Sequence, residues 1–151
     1  LLSAACHAGD VLGKASPECE EAMRAFGLYV GIAFQLMDDT VDYVASEEQF
    51  GKPIGHDLEE GKITLPLIHT LQNCTADERS VIADIIEKDV LGDDDFDTVC
   101  SLVHRYGGLE YAVERAGYYI ALGKKNLEMF PDSPGKSAML SLADYIVTRK
   151  R

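Results

Sequence analysis

The sequence predicts an all-α fold, and three observations carry that reading. Apolar residues recur at helical spacing through every long segment. Helix start signals stand at the heads of those segments, at Ser16-Pro17, Thr75-x-x-Glu78 and Ser133-Pro134. No stretch alternates apolar and polar residues between turns as a half-buried strand would. Apolar residues make up 46% of the 151 positions, enough for a packed core and too many for a disordered chain.

Leu1–Val11 is apolar and small, and Gly13 can close a helix there. Ser16 then caps a helix with Pro17 at its first position and Glu18, Glu20 and Glu21 in its first turn, where the dipole favours anions. Nothing but tolerated glycines interrupts that helix to about Ala45. Residues 47–62 carry Gly51, Pro53, Gly55 and Gly61 and read as a loop. Ile63–Leu71 is a short helix with Pro66 near its first turn, and Thr75 opens another that reaches about Val90. The acidic turn Asp93–Asp97 leads into a helix ending at Gly107-Gly108. Leu109–Phe130 is long and amphipathic, Pro131–Pro134 breaks it, and the last helix reaches about Arg149. The expectation is one helical unit over residues 1–151, its helices antiparallel through short loops.

Lys and Arg total 14 against 26 Asp and Glu, a formal charge of −12, which argues against a nucleic-acid backbone as the main partner. The same balance suits a protein that binds cations, or anions bridged by cations. No run reaches the roughly 18 apolar residues of a membrane span, and no basic segment followed by a short apolar stretch marks a signal peptide. Cys6, Cys19, Cys74 and Cys100 stand apart, with no C-x-x-C, and read as reduced thiols of a cytoplasmic protein. Leu1-Leu2 opens in mid-pattern without an initiator Met, as if the chain had been cut.

The chemistry concentrates in Phe34-Gln-Leu-Met-Asp-Asp-Thr-Val-Asp-Tyr43. Asp38 and Asp42 are four apart and share a helix face, with Asp39 beside them and Gln35 one turn earlier. The helix upstream is apolar nearly all round, from Phe26 to Met37, which predicts burial. Two carboxylates about 5 Å apart repel by roughly 3 kcal/mol at an effective dielectric of about 20. They also stand near a helix C-terminus, where the dipole disfavours anions. No Lys or Arg occurs between Arg24 and Lys52 to neutralise them. A divalent cation would remove this deficit, and carboxylate-only ligation suits Mg²⁺, whose shell is completed by water and phosphate. The competing reading is a solvated acidic face. Gly51-Lys-Pro-Ile-Gly-His-Asp-Leu-Glu-Glu-Gly-Lys62 follows, and Lys52 and Lys62 are placed to meet a polyanion that the metal also holds. This is not a Walker loop. Asp93 onward is not an EF-hand either, since Thr98 and His104 stand where Gly and Glu are required.

Gly31-x-x-Phe-Gln-x-x-Asp-Asp-x-x-Asp42, Gly51-Lys-x-x-Gly-x-Asp57 and Glu60-Gly-Lys-x-Thr-Leu-Pro66, in that order, resemble the second aspartate-rich region of the trans-isoprenyl diphosphate synthases. Leu142-Ala-Asp-Tyr-Ile146 with Arg149-Lys-Arg151 resembles their C-terminal helix, and Glu60–Ile68 resembles the long-chain polyprenyl branch more than the farnesyl branch. The resemblance implies the C-terminal part of an isoprenoid-synthase helical bundle, a prenyltransferase that joins an allylic diphosphate to isopentenyl diphosphate. It implies Asp38, Asp39 and Asp42 as the Mg²⁺ residues, Asp38 being the main ligand, and Gln35, Lys52 and Lys62 as diphosphate contacts. Asp38, Lys52 and Lys62 would then be catalytic. The family's first aspartate-rich motif has no counterpart in these residues, so the resemblance implies a partner in the missing N-terminal half, inactivity of this segment alone, and a homodimer. A non-catalytic helical subunit of a heteromeric synthase is the alternative.

Overall fold

The computed structural model describes residues 1–44, 56–88 and 90–149, apart from the side chains of His56 and Asp93. Eight helices and no strand occur among the described residues: α1 Leu2–Leu12, α2 Pro17–Val41, α3 His56–Glu59, α4 Leu65–Asn73, α5 Ala76–Ile86, α6 Asp93–Arg105, α7 Gly108–Asn126 and α8 Pro134–Thr148.

The start signals act as the sequence predicts. Ser16 Oγ accepts the Cys19 N–H at 3.4 Å at the head of α2. Ser133 Oγ accepts the Lys136 N–H at 3.1 Å before α8. Thr75 and Glu78 form a reciprocal capping box on α5. Each bond satisfies an N–H that has no partner inside its own helix.

Several element bounds differ from the sequence reading, among them the end of α7, at Asn126 rather than Phe130. Helix α2 stops at Val41 rather than Ala45, because Tyr43 turns into a core, 5% exposed, with its hydroxyl 3.4 Å from Thr64 Oγ1. Helix α5 stops at Ile86 rather than Val90, and Lys88 just beyond it pairs with Asp95 of α6 at 2.6 Å. Within the predicted loop 47–62, residues 56–59 form the single turn α3. Gly13 closes α1 in the right-handed region, and the left-handed residue there is Lys14, φ 54°.

The chain groups into two compact units. Residues 1–37 and 114–150 form the first. Its core is one stripe of α2, Met23, Phe26, Val30, Ala33 and Met37, with Ala116, Ile120, Leu127, Ala143 and Ile146. Burial of α2 is one-sided: Leu28 and Phe34 are 43% and 40% exposed, which corrects the prediction of a helix buried all round. They line a groove of about 720 Å³ with Leu1, Leu2, Ile32 and Leu142. Residues 38–113 form the second unit, around Tyr43, Leu58, Leu67, Ile82, Ile85, Val99, Leu102, Val103 and Leu109. Here Gly107, φ +67°, breaks the chain between α6 and α7, and Gly108 lies against the Pro66 carbonyl of α4.

Candidate functional site

Asp38 and Asp39 occupy the last turn of α2, Asp38 exposed and Asp39 half-buried. Asp42 lies in the turn just past the helix, so the three carboxylates span its end. Buried Tyr43 fixes that turn, and burial pushes its hydroxyl up to about 12. Gln35 is exposed on α2, one turn before Asp38, among residues of the first unit.

The second segment enters through α3. The Asp57 N–H donates to Asp42 Oδ2 at 2.9 Å across 15 residues of chain. Leu58, 3% exposed, anchors the turn in the core. The turn closes with the Lys62 N–H on the Asp57 carbonyl at 2.8 Å and the Gly61 N–H on the Leu58 carbonyl at 3.0 Å. That pair of bonds is a Schellman closure, and it needs the left-handed Gly61, φ +70°. The closure brings Lys62 Nζ back to Asp57 Oδ1 at 3.1 Å and Glu60 Oε2 at 2.5 Å. Those carboxylates, Glu60 foremost, hold the ammonium well above its ordinary range.

Asp38, Asp39, Asp42 and Lys62 therefore belong to the second unit, with Asp42 and Lys62 both bonded to Asp57. Lys52 lies outside the described residues, as does the rest of the predicted glycine-rich loop through Gly55. Sequence reasoning assigned no role to Asp57 or Glu60. The available signal was an acid at the head of a short turn closed by glycine, with a lysine immediately after.

Among the described residues no three His, Cys, Asp or Glu side chains gather as a closed metal cage. The donors on offer are carboxylate oxygens near a helix end, a set that fits a hard cation keeping several non-protein oxygens. His7, His69 and His104 lie elsewhere: His7 is 3.6 Å from Glu20, and His69 stacks on Tyr111 at 4.2 Å. Tyr106 and Tyr119 likewise serve packing, Tyr106 on Glu78 and Tyr119 against Tyr29.

The sequence model of the polyprenyl synthetase family matches residues 1–103. The chain is 36% identical over 151 residues to octaprenyl diphosphate synthase of Escherichia coli, covering all of this chain and 46% of that protein. It is 37% identical over 150 residues to geranylgeranyl diphosphate synthase of Methanosarcina mazei, covering 99% and 44%. Among solved structures, a polyprenyl synthase of Caulobacter crescentus, complexed with calcium and isoprenyl diphosphate, superposes with a TM-score of 0.91 at 34% identity, over 99% of this chain and 46% of that one. The chain spans about half the length of the curated relatives it matches. With the motif order, the helical fold and these matches in agreement, the chain belongs to the polyprenyl synthetase family.

Proposed function

We propose that this chain is the diphosphate-holding part of a prenyltransferase that elongates isoprenoid chains by joining an allylic diphosphate to isopentenyl diphosphate. The observation that carries the reading is the tie from the acidic end of α2, through Asp57, to Lys62. It joins carboxylates for a metal to a cation for phosphate inside one unit. The octaprenyl relative, and the wording of Glu60–Ile68, support a long-chain product.

Asp38 would be the main Mg²⁺ ligand, with Asp39 and Asp42 orienting the waters of its shell. When bound, Mg²⁺ supplies Lewis-acid charge that neutralises the departing diphosphate. Lys62 and Lys52 donate N–H bonds to phosphate oxygens, and the Gln35 amide donates one more. As the allylic C–O bond breaks, these donors stabilise negative charge on the leaving group. The double bond of isopentenyl diphosphate then attacks the allylic cation, and a proton is lost. Residues supplied by the N-terminal half of the complete enzyme would hold the remaining metal charge, so this segment alone is expected to be inactive. A homodimer is part of the proposal, supported by the exposed apolar groove along α2.

Calorimetry tests the reading. Mg²⁺ alone should bind weakly, and Mg²⁺ with inorganic pyrophosphate much more tightly, because phosphate oxygens complete the shell. Tight binding of Mg²⁺ alone would contradict it. In the complete enzyme Asp38→Ala should reduce turnover far more than His56→Ala, and equal losses would undo the assignment.

A further inference from the structure

We propose that Asp57 is the positioning residue of the candidate diphosphate site, its backbone N–H fixing the Asp42 carboxylate while its own carboxylate holds Lys62. The inference rests on the diphosphate reading above and goes beyond it, because Asp57 itself is given no contact with metal or substrate.

The geometry is economical. Asp57 makes three bonds: N–H to Asp42 Oδ2 at 2.9 Å, carbonyl to the Lys62 N–H at 2.8 Å, and Oδ1 to Lys62 Nζ at 3.1 Å. The residue is half-buried and is followed by the core residue Leu58, so the backbone that carries these bonds is anchored. Lys62 is exposed, and a free lysine side chain there would sample many rotamers. Ordering it before ligand arrives removes part of the entropy cost of binding. Glu60 Oε2, at 2.5 Å, shares the hold on Lys62 Nζ and stands two residues before it on the same short turn. Through these bonds Asp57 links the Asp42 carboxylate to Lys62.

The claim predicts non-additivity. If Asp57 acts through Lys62, removing its side chain should cost nothing once Lys62 is gone. The test is a double-mutant cycle read by calorimetry of Mg²⁺ with inorganic pyrophosphate, using the chain itself, Asp57→Ala, Lys62→Ala and the double variant. Each single change should weaken binding about tenfold, and the double variant should also lose about tenfold rather than about a hundredfold. A purely structural role for Asp57 would add its loss in the Lys62→Ala background as well, which overturns the inference. So does an Asp57→Ala chain that binds like the parent while Lys62→Ala is weakened. Failure of the parent chain to bind, or full binding by Lys62→Ala, instead removes the diphosphate reading and takes the role of Asp57 with it. If Asp57→Ala fails to fold by circular dichroism, Asp57→Asn carries the same cycle. It keeps the backbone N–H and a neutral acceptor, and its loss should be about threefold.

Discussion

Two glycines of α7 should respond to the same substitution with opposite sign. At Gly117 an added Cβ meets nothing within 4 Å, so Gly117→Ala keeps every contact and gains helix propensity. That gain is about 0.5–1 kcal/mol. At Gly108 the Cβ would stand 3.0 Å from Thr70 Oγ1 and 3.1 Å from the Pro66 carbonyl carbon, and closer still to the Pro66 oxygen. Pro66 belongs to the first turn of α4 and cannot yield like a flexible side-chain tip. The helices must part, and overpacking of this kind costs about 1–3 kcal/mol. Gly108 opens α7, so it recovers little of the propensity gain. The net expectation for Gly108→Ala is a loss of about 1–3 kcal/mol, or several degrees in the unfolding midpoint. Urea unfolding followed by circular dichroism, run on both variants and the parent, measures the difference. A Gly108→Ala chain as stable as the parent would refute the argument that α4 and α7 meet backbone to backbone.

Glu78 contributes to the acid response of the second unit. Its carboxylate accepts from the Tyr106 hydroxyl at 2.5 Å, the Thr75 N–H at 3.0 Å and the Thr75 hydroxyl at 2.8 Å, and Arg105 reaches it at 2.7 Å. These bonds, that of Tyr106 first, lower its pKa from 4.5 to about 2. A depressed folded-state value means stability that is present above the ordinary pKa and lost as pH falls. Unfolding midpoints should therefore drop between about pH 4.5 and 2, and Glu78→Gln should flatten that part of the profile. In size-exclusion with light scattering the chain is expected to run as a dimer, since Leu28, Phe34 and Leu142 leave an apolar groove open. A stable, dilute monomer would remove the association claim.

The parts legible in the sequence are those decided within a few residues. Caps at Ser16, Thr75 and Ser133 use side chains that reach their own backbone, so the spelling predicts the bond. The acidic run was legible as a candidate, three carboxylates in five positions, which spacing alone does not separate from a solvated face. Where α2 and α5 end was not legible, because Tyr43 finds Thr64 and Lys88 finds Asp95 only after the chain folds. The exposure of Phe34 was missed for the same reason: an apolar residue does not state whether a neighbour will cover it. Asp57 was overlooked because its decisive donor is a backbone N–H, which every residue but proline carries.

Helix α1 contributes no buried residue, yet it lies so close to α2 that a Cβ on Gly27 would stand 2.6 Å from the Leu2 carbonyl oxygen. Beyond that approach, Ser3 Oγ donates to the Arg24 carbonyl at 2.9 Å and Cys6 packs against the core edge. Such a helix gains little from the hydrophobic effect and is held by close backbone fit. It should open by itself, in a sub-global step far below the free energy that unfolds α2. Its amides would then exchange with solvent in a rapid class while those of Phe26 to Met37 exchange slowly. The edge of the apolar groove formed by Leu1 and Leu2 would come and go with that step, making the width of the groove a thermally populated variable rather than a fixed dimension.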